Sequence, residues 1–375
     1  FTLRPAAVRA MKILVVQDQL RSGGTERQSI LLSRAFRDSG HHVRLLTFRP
    51  GGALDGSLED LPRVCLQPFD TKLDWFAPEL GRAVARFGPD VVLCMGRMAN
   101  CYAGRIQGQN PDAAVIATMR TGKPLPWLFR RSLRRASHIV ANSADAKATL
   151  IRSHAIRAEN VTVIYNGLVF PAGAVADSDS RRALRTRHGA TDSTLVLLSV
   201  AMFRPEKGQS ELLTTAAQLP SGLDWQLWLA GDGPALDACR KSATALGLDN
   251  RVRFLGWQAS PAPLYAAADV AVHASSSEGL SNFLIEAQAH GVPAVAYEAQ
   301  GVGECLIPKD TGYVIPPGDR GAFVEAVLRL GQSDPAAKSG RSDRARRFAR
   351  ERFDPASRTR SYLDLFSRLT TNSTP

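Results

Sequence analysis

Short apolar runs recur along the chain, separated by polar, glycine-bearing turns and by segments whose apolar residues fall at helical spacing. MKILVVQ is the first such run, followed by the loop LRSGGTERQ. In SILLSRAFRDSG the apolar residues Ile30, Leu31, Leu32, Ala35 and Phe36 return every three or four positions, which predicts a helix. HHVRLLTF is the next run, and PDVVLCMG, DAAVIATM, SHIVANS and VTVIYNG continue the series. Strand, glycine loop, helix, strand is the opening of a parallel α/β domain, here spanning residues 11–168.

FPAGAVADSDS interrupts the alternation with small and polar residues, and predicts a linker over 169–184. The alternation then resumes through STLVLLSVAMF, DWQLWLAGDG, NRVRFLGW, ADVAVHAS, VPAVAYEA and GYVIPPGD, a second α/β domain over 185–350. DPASRTRSYLDLFSRL predicts a final helix within 351–370. Two doubly wound, Rossmann-like domains imply a cleft between them, with ligands beyond the carboxyl ends of the strands.

A length of 375 residues accommodates two domains with separate cores. No stretch approaches the roughly 18 apolar residues that a spanning helix requires. Residues 1–10, FTLRPAAVRA, lack a continuous apolar region and do not read as a secretory signal, but as an extension before Met11. The five cysteines, Cys65, Cys94, Cys101, Cys239 and Cys305, show neither CxxC pairing nor metal spacing, and suggest free thiols in a reducing cytoplasm. A formal charge of +12 fits a polyanionic partner or an anionic membrane surface.

Candidate chemistry gathers at strand ends. Gly23 and Gly24 lie between the first strand and first helix, where bare backbone can approach a phosphate, although a tight turn needs glycine just as well. This is not GxGxxG, and no acid closes the second strand, which weakens a dinucleotide reading. In MFRPEKG, Arg204 and Lys207 share one loop and can neutralise a diphosphate, or stand as solvated charge. LAGDGP is another strand-end turn, containing Gly233. In SEGLSNFLIEAQAHG, the amides of Gly279, Leu280 and Ser281 open a helix, while Glu278 and Glu286 suit sugar hydroxyls. The bland alternative makes Glu278 a helix cap and Glu286 a solvated charge.

Together these features resemble the retaining glycosyltransferases of family 4, which have the GT-B fold and whose signature is a glutamate, seven residues and a second glutamate. Glu278-GLSNFLI-Glu286 fits it, as do GGTERQ, VIYNG, FRPEKG, AGDGP, RFLGW, GVPAVA and GYVIPPGD in order. The resemblance implies that Gly23, Gly24 and the first helix border a donor diphosphate and that Arg204 and Lys207 bind it. Gly233 joins the donor site, Glu278 contacts the donor sugar, Glu286 the nucleotide ribose, and Phe254 to Trp257 lie beside the base. It further implies front-face attack without a metal or other cofactor, and a last helix, with Tyr362, Leu363 and Phe366, that returns to the first domain. Family members often carry a histidine near the reacting sugar; here the corresponding loops offer Arg97 and Arg120, which either face an anionic acceptor, substitute for the histidine or are surface charge.

The expected activity is transfer of a sugar from a nucleotide-diphosphate donor to a glycan or lipid-linked glycan in cell-envelope polysaccharide or lipopolysaccharide synthesis, in the cytoplasm. Competing readings are a non-hydrolysing nucleotide-sugar epimerase, a catalytically silent nucleotide-sugar-binding module and a nicotinamide dehydrogenase. PLPWLFRRSLRR joins Trp127, Leu128, Phe129 and Leu133 to Arg130, Arg131, Arg134 and Arg135. Such a segment either lies on an anionic bilayer or packs its apolar residues inward. The stacking aromatics of a nucleic-acid groove are not evident.

Overall fold

A computed structural model of the chain describes residues 9–58, 60–170 and 178–371. Most of the expected extension and the centre of the expected linker, residues 1–8 and 171–177, lie outside the described residues. The chain divides into two compact units. One comprises the residues up to Arg120, Pro124–Gly167 and the segment from Pro355; the other comprises Thr121–Lys123 and Leu168–Asp354.

The first unit holds the strands β1 (Lys12–Gln17), β2 (His42–Thr47), β3 (Arg63–Cys65), β4 (Val91–Cys94), β5 (Ala114–Met119), β6 (His138–Ala141) and β7 (Val161–Val163). They form one parallel sheet in the order β3-β2-β1-β4-β5-β6-β7. Its helices are α1 (Gly24–Asp38), α2 (Leu80–Phe87), α3 (Arg97–Gln109), α4 (Trp127–Leu133) and α5 (Ala144–His154). The second unit holds α6 (Ser178–Arg187), β8 (Leu195–Val200), α7 (Gln209–Ala216), β9 (Trp225–Ala230), α8 (Leu236–Ala245), β10 (Val252–Gly256) and α9 (Ala262–Ala267). It continues with β11 (Val270–His273), α10 (Asn282–Ala289), β12 (Ala294–Tyr297), β13 (Gly312–Ile315), α11 (Arg320–Gly331) and α12 (Pro335–Arg352). Its sheet is also parallel, in the order β10-β9-β8-β11-β12-β13. The last helix, α13 (Pro355–Thr371), belongs to the first unit.

Both sheets have helices on both faces, so their central strands read as unbroken apolar runs rather than alternating ones. Alternate residues still part to opposite faces. In the first unit Ile13, Val15, Leu45 and Leu93 pack with Phe36 of α1 and Tyr362, Leu365 and Phe366 of α13. Leu14, Val16, Val92 and Cys94 enter a separate core with Ala99, Ala103 and Ile106 of α3 and Phe129 and Leu133 of α4. Phe36 sits edge-on to Phe366 at 5.3 Å between ring centres, which fixes α13 against α1. In the second unit Leu197, Leu227 and Val272 pack against Leu212 and Leu213 of α7 and Phe323 and Val327 of α11.

Two elements depart from expectation. β3 is a three-residue edge strand, RVC, too short and too exposed to leave an apolar signature. The expected linker over 169–184 gives way to α6 at Ser178, where SDSRRALRTR looks like solvated loop because it is strongly polar. What makes it structural is Arg185, 1% exposed, whose guanidinium donates to the carbonyls of Thr191 and Ala267 and to Asp269.

Candidate functional site

In a doubly wound sheet the loops that leave neighbouring strands in opposite directions part at the point where strand order reverses. In the second unit that point lies between β8 and β11. The loop after β8 is FRPEKG and the loop after β11 is SSSEGL, so two segments some seventy residues apart emerge side by side. They are stitched together by backbone. The Glu206 carbonyl accepts from the Ser276 amide at 2.9 Å and from the Ser275 hydroxyl at 3.1 Å. Gly208, at φ +72, allows the close approach: a Cβ there would meet the Ala274 carbonyl oxygen at 2.1 Å.

This stitching brings Lys207 to Glu278. The ammonium Nζ donates to Glu278 Oε1 at 2.7 Å, and Nε2 of His273, the last residue of β11, meets the same oxygen at 3.1 Å. Glu278 is only 9% exposed, and burial alone would push its carboxyl upward. The hydrogen bond and charge of His273 and the charge of Lys207 outweigh that and hold it down at about 2. The carboxylate is therefore ionised, and it is not the cap of α10. That role belongs to Ser281, whose hydroxyl accepts from the Leu284 amide at 3.4 Å.

The residues around this centre divide by what holds them. Gly279, Leu280 and Ser281 are all buried at the entry to α10, and the Ser281 amide acts on the Cys305 thiol, which burial pushes up. Arg204, half-buried, stands in the FRPEKG loop, where its carbonyl accepts from the Lys207 amide at 2.9 Å, and its guanidinium makes no hydrogen bond or ion pair among the described residues. Gly233, at φ +149, lets the AGDG turn pass against the Phe203 carbonyl, which a Cβ would meet at 2.5 Å. Asp232 orders that turn, accepting from the Gly233 amide at 2.7 Å.

Glu286 stands in the second turn of α10, where its Oε2 accepts from the Tyr265 hydroxyl at 2.7 Å. The Tyr265 ring stacks on His290 at 4.9 Å, so α9 and α10 share one polar–aromatic seam. Phe254 packs its ring toward Phe203, 6.1 Å between centres, and belongs to the core margin, whereas Trp257 is 57% exposed just after β10.

The first unit has its reversal between β1 and β4. Gly23 precedes α1 and Gly24 is its first residue; no side chain caps this helix. Two other parts of the same motifs carry structure. Gln28 donates to the Gly167 carbonyl at 2.5 Å and accepts from its amide at 3.1 Å, joining GGTERQ to VIYNG. Asp18, just past β1, accepts from the Met98 and Ala99 amides at 3.0 and 2.7 Å, and so closes the start of α3. Burial raises its carboxyl to about 6, against the lowering effect of those two amides.

Arg97 and Arg120 part company. Arg97 is exposed and donates to the Pro124 carbonyl at 3.0 Å. Arg120 turns inward, donating to Asn166 Oδ1 at 2.5 Å beside the buried phenol of Tyr362 on α13. Spacing gave no sign of His273, Tyr265 or Asp18. His273 reads as the end of an apolar strand, Tyr265 as helix core, and Asp18 as part of the polar QDQ loop.

Residues 22–169 match the family model described as Glycosyltransferase Family 4, and residues 180–351 the one described as Glycosyl transferases group 1. The chain is 27% identical over 354 residues to the lipopolysaccharide core biosynthesis glycosyltransferase LpsD of Rhizobium meliloti (strain 1021), covering 92% of this chain and 95% of LpsD. It is 33% identical over 172 residues to LpsE of the same organism, also a lipopolysaccharide core biosynthesis glycosyltransferase, covering 46% of this chain and 49% of LpsE. Among solved structures, Anabaena HepE in complex with UDP and glucose superposes with a TM-score of 0.81 at 24% identity, over 96% of this chain and 100% of that one. That likeness concerns the fold.

Proposed function

We propose, for a chain that belongs to the family 4 glycosyltransferases and has their GT-B fold, that it transfers a sugar with retention of configuration from a nucleotide-diphosphate donor to a hydroxyl of a glycan or lipid-linked glycan. The setting is cytoplasmic synthesis of cell-envelope polysaccharide or lipopolysaccharide. The observation that carries this reading is the centre at the reversal of the second sheet. There a buried, ionised Glu278 is held by Lys207 and His273, and Arg204 opens the same loop as Lys207.

In this reading the bond from the anomeric carbon to the donor phosphate oxygen breaks while the acceptor oxygen bonds that carbon on the same face. The acceptor hydroxyl proton passes to the departing phosphate oxygen. Arg204 and Lys207 stabilise the charge that grows on the diphosphate, and the residues assigned the work require no metal or other cofactor. An ammonium has three donors, so Lys207 can hold Glu278 and still meet phosphate oxygens. Glu278 has Oε1 committed to Lys207 and His273, leaving Oε2 to accept from sugar hydroxyls. Glu286, oriented by Tyr265, accepts from the ribose hydroxyls, and the exposed Trp257 serves the base better than the packed Phe254. On the acceptor side Arg97 remains available, whereas Arg120 is engaged inside its unit. The UDP and glucose of HepE and the lipopolysaccharide work named for LpsD and LpsE support the donor and acceptor classes.

The test is a panel of nucleotide-sugars incubated with crude envelope acceptor, following release of nucleoside diphosphate and the anomeric configuration of the product. One donor should be consumed by the wild type, and Lys207→Ala should slow its turnover by roughly 10²–10³-fold. Glu286→Ala should raise KM for the donor. If a nucleotide-sugar is bound but none is turned over, the silent-module reading takes its place; if none is bound, both readings fail.

A further inference from the structure

The segment PLPWLFRRSLRR resolves into two sets of apolar side chains. Phe129 and Leu133 are 1% and 2% exposed and belong to the first unit's core, so the inward packing considered for this segment holds for them. It does not hold for Trp127 and Leu128, which are 59% and 53% exposed on the opposite side of α4. A second group of exposed apolar residues stands in the loop between β3 and α2, where Phe69 is 70% and Trp75 55% exposed, with Leu73 and Phe76 beside them.

Helix α3 ties the two groups together. The Tyr102 hydroxyl donates to the Trp75 carbonyl at 2.6 Å, and the Gly104 amide donates to Ser132 Oγ of α4 at 2.6 Å. Residues two apart on a helix point about 200° apart, so the loop and α4 lie on opposite flanks of α3. Ala99, Ala103 and Ile106 face the sheet, which leaves the exposed Arg105 on the outer side between the flanks.

The charge on this face has one sign. Arg105, Arg130, Arg131, Arg134 and Arg135 are exposed, and among the described residues none has a carboxylate within ion-pair distance. Arg131 lies over the Trp127 ring at 5.3 Å, keeping the indole and a cation together. The acids of the aromatic loop are already paired: Asp70 with Arg49, Asp74 with Arg21 and Arg49, and Glu79 with Arg82. Monomeric proteins seldom expose this much aromatic surface without a use for it.

We propose that this outer face of the first unit, α4 and the β3–α2 loop on either side of α3, is a docking surface for an anionic lipid bilayer. Tryptophans suit the headgroup boundary, where an amphipathic ring is half wet and half apolar, and arginines next to them meet lipid phosphates. A second copy of the chain fits less well, because self-association through this face would set arginines against arginines on a chain of net charge +12. The inference concerns binding alone and does not rest on the transferase reading.

Sedimentation with vesicles tests it, using phosphatidylcholine alone and phosphatidylcholine with about 30% phosphatidylglycerol. The full chain should bind the mixed vesicles about tenfold or more tightly than the neutral ones, with binding that weakens as salt rises. Trp127→Ser with Leu128→Ser, and separately Trp75→Ser, should each reduce binding several-fold. Arg130, Arg131, Arg134 and Arg135 changed to serine together should remove the preference for phosphatidylglycerol. All these side chains are exposed, and unchanged melting temperatures would confirm that the variants fold. Equal binding to both vesicle types, or wild-type binding in the Trp127 and arginine variants, would overturn the proposal. So would a concentration-dependent dimer that Trp127→Ser abolishes, which would assign the face to a second copy.

Discussion

At the reversal point of the second sheet, Lys207 and His273 converge on one carboxylate, Glu278, and leave it ionised. At the same point of the first sheet Asp18 is taken up by architecture, closing α3, and past the neighbouring strand β5 Arg120 is bound to Asn166 beside Tyr362. The second centre comes from two loops of neighbouring strands, the first from contacts that include the far end of the chain. The two sheets share a topology, so the fold supplies only a place where loops part. What a unit can do there depends on whether its polar side chains meet a ligand or each other.

The strongest test of this contrast is Phe366→Ala. Phe366 is fully buried against Phe36, and its loss should destabilise the first unit by about 3–5 kcal/mol while leaving the second unit's stability nearly unchanged. Hydrogen exchange read peptide by peptide would show it. Equal loss of protection in β8 and β11 would mean that the two units do not unfold separately.

A second test uses the opposite responses of the two acids to pH. Asp18 lies above its ordinary value of 3.8, at about 6 in the fold, so the folded chain binds the extra proton between these limits and stability falls as pH rises through them. Glu278 is lowered from 4.5 to about 2, so its contribution is present above 4.5 and is lost as pH falls toward 2. Urea midpoints measured across pH should show Asp18→Asn removing the fall between about pH 4 and 6, and Glu278→Gln flattening the loss below about 4.5, each on the order of 3 kcal/mol. Matching pH profiles for the two variants would dissolve the distinction.

The smallest expected effect is at the helix start. Ser281→Ala removes the side-chain cap of α10 and should cost about 1 kcal/mol in denaturant unfolding, a loss that α1, whose capping position is Gly23 with no side chain, has no counterpart for. No change would mean that burial alone positions the entry to α10.

The sequence made the two parallel sheets legible because strands covered on both faces leave long apolar runs, and only β3, short and at an edge, escaped. Helix α6 was hidden for the opposite reason, since its buried residue is an arginine that hydrogen bonds rather than a hydrophobe. In the candidate site, Arg204, Lys207 and the two glutamates drew notice as strand-end charges. No spacing rule places Lys207 on Glu278, which lies 71 residues further along, because strand order creates that contact. His273 and Asp18 escape notice because each sits where an apolar strand ends, His273 reading as the strand's last residue and Asp18 as part of the polar loop Gln17–Gln19. For α4, helical spacing alone left Trp127 and Leu128 undivided from Phe129 and Leu133 until burial separated them.

The first unit's core is completed by a helix, residues 355–371, that follows the whole second unit in the chain. On the ribosome, Phe36 and the neighbouring apolar surface of α1 must wait for Tyr362, Leu365 and Phe366 to be made. Synthesis from the N-terminus therefore delivers the first unit's material first and its closure last. A stalled or clipped chain that lacks these three side chains would present an open apolar face, which makes it a natural client for chaperones or proteases.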